Sequence, residues 1–192
     1  MTSKERVNSV LYGKNFDRFP MWYGGAPETT ENIMKFIGAT SEDEAMDMLG
    51  IDFRTIRPRY VGPELKTYPD KSYDTFWGIR RGGYYYGQAL NHPLANAETV
   101  RDVEKYNWPE TSWWDVKFTC RDIEDSRDYC VMGGPWAPFF HDIMELLGTE
   151  KFFIDMHLNP AVVEAVVTKV FEHYYEVAVK TMKTGEEYFY YV

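Results

Sequence analysis

Asp52 stands inside an apolar run, Gly50-Ile-Asp-Phe-Arg-Thr-Ile-Arg57. A carboxylate placed there either faces a cavity, where it binds a cation or a substrate donor, or accepts hydrogen bonds from neighbouring backbone. Arg54, Arg57 and Arg59 follow closely, and a guanidinium recognises carboxylates through two parallel hydrogen bonds. Surface salt bridging is the other use, expected for at least two of the three. His141 lies near the start of a helix after a strand-end loop, so it either faces a pocket or is an ordinary first-turn histidine. Trp77, with Tyr84, Tyr85 and Tyr86, could wall a flat ring system, and core packing accounts for them equally well. The candidate catalytic groups are therefore Asp52 and His141. The candidate substrate contacts are Arg57, Arg59, Tyr23, Trp136 and Trp77.

These residues need elements to hold them. Thr2 to Tyr12 reads as a short helix with Ser3 as its cap, ended by Gly13. Phe19 to Tyr23 reads as a strand, and Gly24-Gly25-Ala26-Pro27 as the loop at its end. Thr29 or Thr30 caps a helix to about Ile37, and Ser41 with Glu44 has capping-box spacing for another to Leu49. Gly50 to Arg57 is the second strand candidate. From Pro58 to Pro93 the chain is rich in Gly, Pro, Tyr and charge, with short hairpins at Phe76–Arg80 and Tyr84–Tyr86. So long a stretch without a helix suggests a functional loop or lid. Short helices follow at Thr99–Tyr106 and Trp113–Arg127, then a strand at Tyr129–Met132 ended by Gly133-Gly134-Pro135. Phe139–Leu147 and Glu150–Leu158 are helical. Asn159-Pro160 opens a long amphipathic helix to Lys183, and after Gly185 an aromatic run opens a strand. Strand, loop and helix in this order are the grammar of a parallel α/β fold, whose chemistry sits at the C-terminal ends of the strands. Those ends are Tyr23-Gly24-Gly25, Arg57 to Tyr60, and Met132 to Trp136.

Composition narrows the function. A net charge of -9 argues against nucleic acid, which basic patches recognise. Cys120 and Cys130, the two cysteines, are too far apart for a CxxC motif and too few for a structural zinc site. No apolar run approaches the roughly 20 residues of a membrane span, and the N-terminus lacks a signal-peptide core. A cytoplasmic protein with no nucleic-acid or membrane partner is the expectation.

Asn15-Phe-Asp-Arg-Phe-Pro20, Leu49-Gly-Ile-Asp-Phe53, Gly133-Gly-Pro-Trp136, Leu146-Leu-Gly-Thr-Glu150 and Leu158-Asn-Pro-Ala-Val162 occur in order across almost the whole chain. Together they resemble the uroporphyrinogen decarboxylase superfamily, which also contains cobalamin-dependent methyltransferases. The resemblance implies a (β/α)8 TIM barrel with N-terminal helices, of which this chain would be the N-terminal portion, an incomplete barrel. It implies a tetrapyrrole or corrinoid substrate, or a corrinoid protein as partner. A half-barrel also exposes strand edges, so homo-oligomers are expected. The decarboxylases carry an Arg-x-x-x-Arg turn after the first strand; here the turn is Tyr23-Gly24-Gly25-Ala26-Pro27, without arginine. Asp52 matches their second-strand aspartate, and His141 replaces a tyrosine. The resemblance thus favours methyl transfer between a corrinoid protein and a thiol or related acceptor. Decarboxylation with rearranged contacts and a non-catalytic half-barrel are the alternatives. Zinc and a corrinoid are implied for full-length methyltransferases, whose ligands come from the second half of the barrel, so no cofactor is expected on this chain.

Overall fold

The computed structural model describes residues 1–83, 87–117, 124 and 126–183, and the backbone of 188–189. The hairpin expected at Tyr84–Tyr86, Cys120, and the middle of the helix expected over Trp113–Arg127 lie outside the described residues.

Helix α1 (Ser3–Leu11) is capped by Thr2, which exchanges side-chain hydrogen bonds with Glu5 in a full capping box. Its cap is thus one residue earlier than the sequence suggested. Helix α2 (Pro27–Ile37) starts on its own proline after Ala26, and neither Thr29 nor Thr30 caps it. Proline at the first helical position needs no N–H partner, so the cap is dispensable. Thr30 instead bonds the Tyr23 hydroxyl at 2.9 Å. Helix α3 (Glu42–Met48) is capped by Ser41, while Glu44 reaches past it to the Thr40 N–H and hydroxyl. Phe19–Tyr23 is not a strand but extended chain, held by one backbone bond from the Asp52 N–H to the Met21 carbonyl at 2.9 Å.

Strand β1 (Phe53–Ile56) starts three residues after Gly50. Side chains along it alternate between faces. Asp52, Arg54 and Ile56 are buried, whereas Thr55 and Arg57 are exposed. The covering segment supplies β2 (Arg59–Tyr60), β3 (Tyr73–Asp74), β4 (Arg80–Gly82) and β5 (Gln88–Ala89). Helix α4 (Val100–Glu104), capped by Thr99, and a 3-10 turn at Thr111–Trp113 lead to β6 (Trp114–Asp115). The turn and β6 occupy the start of the region read as helix. Strand β7 (Cys130–Gly133) is followed by α5 (Phe139–Leu147), α6 (Thr149–Leu158), α7 (Pro160–Met182) and β8 (Tyr188–Phe189).

The central sheet is parallel, in the order β1-β7-β8, with Thr55 opposite Met132 and Met132 opposite Tyr188. Among the described residues it is open, not a closed barrel. Two small antiparallel sheets flank it, β2 with β6 and β3-β4-β5. The main core lies between α5, α6 and α7, and the covering segment inserts into it. Trp77 and Ile79 are buried there against Leu146, Val170 and Tyr174. The stretch from Pro58 to Pro93 is therefore built into the fold rather than laid over it as a lid. Its Trp77 is 2 % exposed, so it belongs to the core and not to a substrate surface.

Candidate functional site at the strand ends

The C-terminal ends of β1 and β7 open into a cavity of about 650 Å3. Three loops shape it. The first is Trp22 to Pro27. There Gly24 and Gly25 leave room for two aromatic rings to fold back over the backbone: a Cβ on Gly24 would lie 2.3 Å from the Trp22 ring, and one on Gly25 would lie 2.2 Å from the Tyr23 hydroxyl. Neither glycine can carry a side chain without displacing its ring. The second loop continues β1 through Arg57. The third is Gly133-Gly134-Pro135-Trp136, which carries the half-exposed Trp136 into the cavity mouth. Arg57 lies 5.4 Å from the Trp136 ring centroid, within cation–π range.

Two guanidinium groups line this cavity, and they are not equivalent. Arg81 on β4 is already paired with Glu145 of α5 at 2.5 Å. Arg57 has no ion pair among the described residues and is exposed, so its charge is available to an anion. Glu42 at the rim opposes a wholly anionic ligand.

Arg57 and Trp136 also border a second, smaller space of about 250 Å3. Its walls are Phe76, Trp114, His173, Tyr174 and Val177. The His173 ring is buried between Phe76, stacked at 5.7 Å, and Trp77, edge-on at 5.0 Å. Its Nδ1 donates to the Pro109 carbonyl at 3.1 Å, and its Nε2 accepts from the Trp114 indole N–H at 3.1 Å. Burial pushes the imidazole down to about 4, so it is neutral at physiological pH, and both ring nitrogens are already engaged. Behind this wall Asp142 accepts from the Trp77 indole N–H at 2.8 Å and from the Tyr174 hydroxyl. Burial pushes the Asp142 carboxyl up to about 6, against the opposing pull of these two donors and of Arg81.

The structure sorts the remaining candidates. Asp52 is fully buried just before β1, at the opposite end of the strand from the cavity. It accepts from Arg6 at 2.5 Å, from Arg18 at 2.6 Å and from the Met21 N–H at 2.8 Å. Burial by itself would raise its pKa; Arg18, the Met21 N–H and Arg6 together hold the carboxylate below its usual range. Asp52 is thus an anchor joining α1, the extended segment and β1, not a group facing substrate. His141 is exposed in the first turn of α5 and lines neither space, which is the ordinary-histidine reading. Arg59 is exposed on β2, also outside both. Arg54 corrects the surface reading in another way. It is buried, pairs with Asp47 of α3 and lies 3.7 Å over the Tyr129 ring.

Of the candidate substrate contacts, Tyr23, Arg57 and Trp136 meet in one cavity. Sequence reasoning missed Trp22, Tyr73 and Arg81 as cavity residues and did not single out His173. The repeated Gly24-Gly25 next to two aromatics was the available signal for Trp22. A further cavity of about 680 Å3, between Tyr60, Tyr106 and Trp113, lies in the covering segment, away from the parallel strand ends. Among the described residues no three His, Cys, Asp or Glu side chains converge as a metal site, so zinc does not fit these residues. No helix among them is long and apolar enough to cross a membrane.

The chain matches no family model, and no curated protein matches its sequence. Among solved structures it is similar to a methyltransferase from Methanosarcina mazei, with a TM-score of 0.50 and 16 % identity over 98 % of this chain. The chain spans 58 % of the length of that protein. At this identity the likeness is one of fold alone.

Proposed function

We propose that this chain is a methyltransferase-type protein of the uroporphyrinogen decarboxylase superfamily, acting between a corrinoid protein and a thiol or related acceptor. The observation that carries the reading is the strand-end cavity. Parallel α/β folds place their chemistry at this point, and here the Gly133-Gly-Pro-Trp136 turn delivers an aromatic face beside Arg57, which has no ion pair among the described residues. The fold shared with a methyltransferase supports the same reading. The turn at Tyr23 to Pro27, which offers glycines and aromatic rings where a polycarboxylate would need cations, favours it over tetrapyrrole decarboxylation.

In this reading Trp22, Tyr23 and Trp136 supply apolar faces for a flat ring, and Arg57 orients a negatively charged group at its edge. Equilibrium dialysis with methylcobalamin tests the reading. Retention by the wild-type chain, weakened about tenfold in Trp136→Ala, is the expected result. Absence of retention, or measurable turnover of uroporphyrinogen, would overturn it.

A further inference from the structure

The smaller space behind Arg57 and Trp136 is built unlike the open cavity in front of it. Its walls are rings and an aliphatic side chain, and the three hydrogen-bonding side chains among them, Trp114, His173 and Tyr174, already have partners. His173 is tied at both nitrogens to Pro109 and Trp114, and the Tyr174 hydroxyl is given to Asp142. A ligand entering it therefore meets mostly apolar surface. A polar group pushed in would lose its water at a cost. At its mouth stands Arg57, the cation without an ion pair among the described residues, steadied by the face of Trp136. The volume sets the size: an apolar cavity of about 150 Å3 holds one benzene ring, and this one is about 250 Å3.

We infer that this slot binds a single-ring aromatic carboxylic acid, its ring against Phe76, Trp114 and Val177 and its carboxylate on Arg57. The ring gains burial without asking for hydrogen bonds, and the carboxylate remains at the mouth, where it is still partly hydrated and takes a bidentate pair from the guanidinium. Such an acid would be the small-molecule partner of the strand-end site, so the inference rests on that cavity being the place of reaction. A stiff aromatic slot with neutral walls also explains why His173 is held in one tautomer. A charged imidazolium there would offer the acid a second anchor inside the slot and reverse its orientation.

Calorimetric titration of the purified chain with a small set of acids tests this directly. Benzoate should bind at least about tenfold more tightly than acetate, which lacks the ring, and than benzamide, which lacks the charge. 9-Anthracenecarboxylate, too large for the slot, should bind no better than acetate. Arg57→Gln, a change at an exposed residue outside the core, should bring benzoate down to the affinity of benzamide. The indole N–H resonance of Trp114 should shift on adding benzoate and stay in place on adding acetate. Equal binding of benzoate and benzamide, equal binding of the anthracene acid, or an unmoved Trp114 resonance would each overturn the slot. Methylcobalamin dialysis on the same preparation keeps the two claims apart. Benzoate binding without corrinoid retention removes the methyltransferase reading and leaves the slot; corrinoid retention without benzoate binding does the reverse.

Discussion

At the scale of single residues, the buried charges of this chain divide into anchors and a poised pair. Asp52 is an anchor. Removing it leaves Arg6, itself buried, without one of its two carboxylates. Asp52→Ala should therefore cost about 3–5 kcal/mol of unfolding free energy, the range for stripping one partner from a buried ion pair, as read from urea denaturation. Asp142 and His173 are the poised pair, joined through Trp77. The folded pKa of Asp142 is raised to about 6 from 3.8, so its contribution is fully present below about pH 4 and is lost as pH rises through 6. The folded pKa of His173 is lowered to about 4 from 6.5, so its contribution is present above about 6.5 and is lost as pH falls toward 4. Between pH 4 and 6 the two slopes oppose each other. Asp142→Asn removes one of them. Its stability should fall on acidification from pH 6.5 to 4 by up to about 1.4 kcal/mol per pH unit more steeply than in wild type. Parallel stability–pH curves for the two proteins would contradict this account.

At the scale of elements, the sequence was most legible where a pattern is local. The amphipathic repeat after Asn159-Pro160 gave α7 at nearly its observed length, and the apolar runs after Gly50 and Tyr129 gave the parallel strands β1 and β7. Phe19–Tyr23 failed as a strand because pairing depends on what lies alongside, and Pro20 supplies no N–H to a ladder. The core role of Trp77 was equally hidden, since its partners Asp142 and Tyr174 stand 65 and 97 residues away in the chain. Asp52 was found as an unusual residue, but its face could not be read without knowing where Arg6 and Arg18 would arrive. Two changes test the elements as described. Leu146→Ala, emptying a fully buried site on α5, should cost about 2–5 kcal/mol. Gly24→Ala should instead displace the Trp22 ring, changing intrinsic fluorescence and weakening methylcobalamin retention, while stability moves by about 1 kcal/mol or less. A large loss of stability with unchanged fluorescence would contradict the placement of that ring.

At the scale of the whole molecule, the described surface retains apolar area that solvated faces seldom keep. Phe171 and Tyr175 stack at 5.8 Å on the outer side of α7, both more than half exposed, with Met182 farther along. Such surface favours association. Light scattering after size exclusion should show species larger than one chain, shifting toward monomer in Phe171→Glu; a monomer at every concentration would contradict the expectation. The central claim, however, concerns where ligand binds: at the ends of the parallel strands, not in the cavity of similar volume within the covering segment. Hydrogen–deuterium exchange with and without methylcobalamin reads that location directly. The account predicts slowed exchange in peptides covering residues 22–26, 55–57 and 133–136. Protection confined to residues 60–68 and 106–113, or to no peptide at all, would contradict it.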